Sequence, residues 1–224
     1  MNMDLNALAE KQLELSKGIS LKDEFPKDIK TIGGFDLAFS GGRVFCAGVV
    51  LKYPDLEIIE IKTLCSKEEF PYIPGFLSFR EAPAIIRTYR MLKNKPDIIL
   101  VDGQGICHPR SFGIASSVGI MLNKPSIGVA KSKLCGEFKE PRDVMKPEKI
   151  FLFGKHVGWV VKTRKECKPI FISPGHKVSV ESSLGIVLSC IKDHKLPEPL
   201  RMAHAEATTV KKHAENSIGR DFER

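Results

Sequence analysis

At 224 residues, with 42% hydrophobic and 28% charged side chains, the chain can bury a sizeable core and is too evenly mixed for a disordered or fibrous protein. Its formal charge of +8 favours a polyanionic partner without identifying one. Six scattered cysteines form no CxxC pair, no signal-peptide pattern opens the chain, and no apolar run approaches the roughly 18 residues that span a membrane, so a disulfide framework, a zinc site and a membrane anchor are set aside and a cytoplasmic protein is expected.

Leu5, Leu8, Gln12, Leu15 and Ile19 follow a 3-4-3-4 spacing, which predicts an amphipathic helix over residues 3–17 that Gly18 ends. A charged connection containing Pro26 leads to three strands in a meander, 32–39, 43–51 and 56–64. Ser40-Gly41-Gly42 and Tyr53-Pro54-Asp55 supply the turns between them. Asp36 lies inside the first strand. An acid there stands either on the solvent face or in a site, and alternation alone leaves both readings open.

The segment from Phe70 to Leu77 carries two prolines, a glycine and three aromatics with almost no polar side chain. It reads as a stiff apolar loop, either covering a sheet edge or offering a platform to a nucleobase. Ser78-Phe79-Arg80-Glu81 then opens a helix to about Lys93. Its S-x-x-E spacing has the form of a capping box, in which Glu81 bonds back to the backbone N–H of Ser78.

Lys95-Pro96-Asp97 breaks the chain before IILVDGQGICHPR, where a buried strand, 97–102, delivers Asp102 into a turn with Gly103 and Gly105. Sheets of the α/β kind place ligand sites just beyond the carboxyl ends of their strands. A helix over 112–122 and a strand over 125–130 complete a right-handed βαβ unit, and Lys131 emerges at the sheet end that carries Asp102. Between Lys124 and Lys168, twelve Lys and Arg face five Asp and Glu, a net +7. That stretch is either a solvated lysine-rich face or a surface that attracts phosphates. Residues 149–162 read as a hairpin, 168–172 as a short strand and Ser173-Pro174-Gly175-His176 as a turn. Val180 to Ile191 fits a buried helix face, and 199–215 a last helix with His204 near its start, frayed from about Ser217.

Three meander strands followed by helix, strand, helix, strand and helix is the order of a ribonuclease H-like α/β fold, a mixed sheet in which the first and fourth strands are neighbours. Asp36 and Asp102 would then lie side by side, and two unpaired carboxylates that close repel unless a cation holds them. Oxygen donors without thiolates suit Mg²⁺ or Mn²⁺, which can stabilise the entering and leaving oxygens of phosphodiester cleavage. Lys131 would neutralise developing phosphate charge or orient the attacking water. No Walker loop, GxSxG elbow or HExxH motif supports a rival chemistry.

GFDLAF, PYIPGFLSFRE, VDGQGICHPR and IGVAKSKL occur in that order, and together they resemble the endonuclease V family of deoxyinosine-directed nucleases. The resemblance is close from Gly34 to Leu134 and looser as far as His204. It implies one domain, with an N-terminal helix over 3–17 and a ribonuclease H-like core over about 31–216. It also implies a monomer that nicks deoxyinosine-containing DNA with Mg²⁺, or with Mn²⁺. The cut would fall one nucleotide 3′ of the lesion and leave 3′-hydroxyl and 5′-phosphate ends. By motif position Asp36, Glu81 and Asp102 would form the acidic metal site, Lys131 would face the scissile phosphate, and His204, in Arg201-Met202-Ala203-His204, would complete the site. Pro71, Tyr72, Ile73 and Pro74 match the family's strand-separating wedge. Hypoxanthine would enter a pocket bounded by the backbone from Gly75 to Leu77, by Gly103 and Gly105, and by Leu134. His108 and Arg110 would either touch substrate phosphate or brace the loop. Two other readings are an inosine-specific endoribonuclease of the same fold and a non-catalytic basic nucleic-acid-binding module.

Overall fold

The computed structural model describes residues 4–221. An antiparallel meander of β1 (Thr31–Ser40), β2 (Arg43–Lys52) and β3 (Ile58–Lys67) is followed by α2 (Leu77–Met91), β4 (Ile98–Asp102), α3 (Ile114–Leu122) and β5 (Ser126–Ala130). A second antiparallel group, β6 (Glu148–Leu152), β7 (Lys155–Val161) and β8 (Ile170–His176), extends the sheet. Helix α1 (Leu5–Ser16) precedes the core, and α4 (Val180–Ser189) and α5 (Glu198–Asp221) close it. The strand order is β3-β2-β1-β4-β5-β8-β7-β6, with β1, β4 and β5 parallel. This is the ribonuclease H-like arrangement that the order of elements predicts.

Strand alternation explains the layers. Ile98 and Leu100 bury against Val187 of α4 and Leu200 and Ala203 of α5, whereas Ile99 and Val101 bury against Ile85 of α2 and Ala115 and Val118 of α3. Because β4 is covered on both faces it reads as a continuous apolar run. Each fully buried aliphatic side chain contributes about 1.5–3 kcal/mol. Among the described residues no helix is long and apolar enough to cross a membrane.

Three expectations are corrected. Ser173 to His176 is not a turn: it continues β8, in which Pro174 lies opposite Ile127 at a register shift. β7 pairs only with Ile170–Ile172, so the proline, lacking an N–H, stands where no ladder bond is required of it on that side. Ser78 is not an N-cap either. Helix α2 starts at Leu77, two residues earlier than a Ser78 cap would place it, its N-cap is Phe76, and no side chain caps it, which leaves Glu81 free of a capping box. Finally, α5 runs on to Asp221, past the expected end at 215.

The amphipathic helix at the start is real, but its buried residue is Gln12; Leu5 and Leu13 are exposed. Asp4 caps it by accepting from the N–H groups of Asn6 and Ala7.

Candidate active site

The parallel pairing of β1 with β4 decides the position of the acids. Phe35 lies opposite Val101, so the next residue on each strand, Asp36 and Asp102, comes to the same sheet end. β5 runs parallel to β4 with Val129 opposite Asp102, and Lys131 follows two residues later. Its ammonium lies 2.5 Å from Asp102 Oδ2 and 3.7 Å from Asp36 Oδ2. Burial lowers the ammonium pKa, but the two carboxylates outweigh it and hold the group above the ordinary lysine value.

Helix α5 closes the cluster from one side. The backbone of Pro199 presses on Gly34 so closely that a Cβ there would come within 2.2 Å of it. From Pro199 to His204 the helix rises about 7.5 Å, and from Gly34 to Asp36 the strand advances about 6.6 Å. The two residues therefore arrive level, and His204 Nδ1 lies 2.7 Å from Asp36 Oδ2.

Electrostatics mark the site as short of positive charge. Burial, reinforced by Asp36 and relieved in part by Lys131, raises the Asp102 carboxyl to about 6. Glu81 on α2 is raised to about 7, chiefly by burial, with Arg80 opposing and Asp102 and Asp36 adding to the rise. Carboxylates pushed up together in a cleft mark a place built for a cation or a proton.

In front of these groups lies a cavity of about 470 Å³, whose lining joins Asp36, Glu81, Asp102 and Lys131 to Tyr72, Pro74, Gly75, Leu77, Gly103, His108 and Leu134. The apolar loop divides two tasks among its rings. Phe70 and Phe76 each stack on Phe79, with centroids 5.9 and 6.4 Å apart, and anchor the loop. Tyr72 is left 63% exposed at the cavity mouth. Arg80 ties the loop down: it pairs with Glu68 at 2.7 Å, lies 3.7 Å over the Phe39 ring and 5.5 Å from the Tyr72 ring.

The Endonuclease V family profile matches residues 13–205, and an Endonuclease V of Dictyoglomus turgidum is 47% identical over 86% of this chain and 85% of its own. This chain belongs to the Endonuclease V family. It is an endonuclease, a hydrolase of phosphodiester bonds. The solved structure of a Bacillus subtilis Endonuclease V superposes with a TM-score of 0.90 at 31% identity, covering 96% of this chain and 95% of that one. A Ciona intestinalis Endonuclease V, bound to a 24mer DNA containing an inosine followed by a ribo-adenosine, superposes with a TM-score of 0.78 at 28% identity, covering 94% and 98%.

The Endonuclease V fold thus brings Asp36, Glu81, Asp102, Lys131 and His204 to one sheet end. Gly105 is placed elsewhere than the motif reading has it. It is absent from the cavity lining; its N–H donates to Ser173 Oγ at 2.9 Å, and a Cβ there would meet the Pro174 carbonyl oxygen at 2.1 Å, so it serves close packing of the β4–α3 turn on β8. Pro71 and Ile73 also lie on the apolar loop away from the lining, which takes up Tyr72 and Pro74.

His108 and Arg110 both converge on the Gly75 carbonyl oxygen, from 3.1 and 2.6 Å, and so brace the loop; His108 also lines the cavity. Three further residues escaped the sequence reading. Arg80 gives no sign beyond its place beside Glu81. Gln104, between two glycines, donates from Nε2 to the Ser132 carbonyl at 3.0 Å and ties the Lys131 turn to the Asp102 turn, while its Oε1 is buried without a partner among the described residues. Gln12 alone carried a signal: it is the polar residue on an apolar stripe.

Proposed function

We propose that this Endonuclease V recognises deoxyinosine in DNA and hydrolyses the phosphodiester one nucleotide 3′ of it, leaving 3′-hydroxyl and 5′-phosphate ends. The observation that carries the reading is that the carboxylate–lysine cluster and an apolar, backbone-walled cavity lie in one cleft. Cutting and base recognition then use neighbouring walls.

Among the described residues no three His, Cys, Asp or Glu side chains converge on one point as a ready metal site. The donor chemistry nevertheless suits a hard divalent cation. Two aspartates share the Lys131 ammonium as a stand-in cation, and Glu81 beside them is raised by burial. Asp36, Glu81 and Asp102 would hold Mg²⁺, or Mn²⁺, all with oxygen donors. When bound, such an ion supplies positive charge to the phosphate and acidifies a coordinated water.

The chain's own residues do the rest. His204 fixes the Oδ2 lone pairs of Asp36, which also accepts from the Leu37 N–H at 2.7 Å, and so sets the carboxylate plane. Lys131, at the same sheet end, would present its ammonium to a non-bridging phosphate oxygen. Water adds to phosphorus and gives up a proton, the bond from phosphorus to the 3′ oxygen breaks, and the departing oxygen takes up a proton to become the 3′-hydroxyl, so the net reaction consumes one water. Tyr72, exposed at the cavity mouth, stacks in the gap that the flipped base leaves. Hypoxanthine differs from adenine by an O6 acceptor and an N1 donor. Backbone groups from Gly75 to Leu77 other than the Gly75 carbonyl, together with Gly103, can read both without a charged side chain.

A second reading rests on the Ciona relative, whose complex places a ribonucleotide after the inosine: the preferred substrate is inosine-containing RNA. Matched DNA and RNA oligonucleotides with one inosine, incubated with Mg²⁺ and mapped on a sequencing gel, separate the two. Faster cleavage of the RNA sinks the DNA reading, and cleavage unaffected by a chelator sinks the metal assignment.

A further inference from the structure

Gln12 is fully buried although it sits on a surface helix outside the sheet. Both its amide nitrogen and its amide oxygen make their hydrogen bonds within the molecule. Its Nε2 donates to Ser78 Oγ at 3.0 Å and to the Gly75 carbonyl oxygen at 3.2 Å, with the Phe112 carbonyl at 3.5 Å. Its Oε1 accepts from Arg110 Nε at 2.6 Å. Arg110 Nη2 donates to the same Gly75 carbonyl oxygen at 2.6 Å.

The third partner of that carbonyl is His108. Burial and the neighbouring Arg110 lower its pKa to about 4, so the ring is neutral, and its Nδ1 accepts from the Arg110 N–H at 3.2 Å. The proton therefore sits on Nε2, which donates to Gly75 at 3.1 Å. Three donors from two separate stretches of chain close on one carbonyl oxygen. Gly75 itself has φ +81°, a left-handed conformation that a glycine adopts without strain. A turn of this kind stays where it is held.

We infer that Gln12 is a positioning residue for the base pocket: with Arg110 and His108 it fixes the Gly75 carbonyl, and thereby the backbone from Gly75 to Leu77 that reads the base. The N-terminal helix is then part of the recognition apparatus. The inference rests on the proposed role of that backbone as the pocket wall. It touches neither the acids nor Lys131, so its effect falls on substrate affinity and selectivity.

The test uses the full chain with Mg²⁺ and two duplexes that differ only in inosine or adenine at one position. Gln12→Leu removes the clamp at near-constant volume; Gln12→Glu keeps the acceptor for Arg110 and loses the donor to Gly75. Leu15→Ala is the control, since it loosens the same helix at a half-buried position whose apolar side chain donates no hydrogen bond to the Gly75 carbonyl. The expected result is a rise in KM for the inosine duplex of about tenfold in Gln12→Leu, with kcat within about twofold and a smaller inosine-to-adenine ratio. Gln12→Glu falls between Gln12→Leu and wild type, and Leu15→Ala keeps the wild-type KM. An unchanged KM in Gln12→Leu, or an equal rise in Leu15→Ala, overturns the inference. A wild-type chain that nicks both duplexes alike overturns instead the functional reading beneath it.

Discussion

His204 Nδ1 lies 2.7 Å from Asp36 Oδ2 although 168 residues separate them in sequence. The contact depends on Gly34, whose missing side chain lets the start of α5 rest on β1. Gly34→Ala would force a Cβ into the Pro199 backbone and lift the helix. The expected outcome is a loss of about 1–3 kcal/mol in urea denaturation from overpacking, together with a fall in kcat of at least tenfold. The control, Ala38→Gly on the same strand, should leave kcat near wild type. Full activity in Gly34→Ala would show that the His204 contact is dispensable.

Acid should loosen the pocket through His108. In the folded chain its pKa is about 4, below the ordinary value of about 6.5 expected when unfolded. Between these values the unfolded chain binds the proton and the folded chain does not. The stabilisation is therefore complete above about pH 6.5 and is lost as pH falls towards 4, by at most about 3 kcal/mol. His108→Gln, which keeps a donor for Gly75 without a titrating ring, should flatten this part of the stability curve. A curve of unchanged slope in the variant would rule out His108 as its source.

Tyr72 is exposed and its contact with Arg80, 5.5 Å from the ring, is a surface one, so Tyr72→Ala should cost about 1 kcal/mol of thermal stability or less. Stacking on a base is worth about 1–3 kcal/mol, and its loss should raise KM for duplex inosine DNA about tenfold while kcat on a single strand stays near wild type. Equal discrimination between duplexes in mutant and wild type would count against stacking.

How much of this was legible depended on the range of the interaction. Asp36 and Asp102 could be brought together from sequence because strand order and strand ends are local signals, and β1–β4 pairing follows from them. Ser78 and Glu81 misled because the capping-box spacing is also local; the helix begins at Leu77, and the Ser78 hydroxyl is engaged by Gln12, 66 residues away. Pro174-Gly175 looked like a turn because the register shift that accommodates the proline lies on another strand, between Ser126 and Ile127. Arg110 and His108 could not be assigned from their own motif, since their common acceptor, the Gly75 carbonyl, lies on a different loop.

The central claim is that the acids perform the cut while other residues hold the base. Asp102→Ala tests it most directly, with cleavage of a single-inosine duplex and equilibrium binding of the same duplex measured side by side. The account predicts cleavage reduced by about a thousandfold or more, as when an electrostatic catalytic group is removed, with Kd within about threefold of wild type. Nicking at an undiminished rate, or binding lost in step with cleavage, would contradict it.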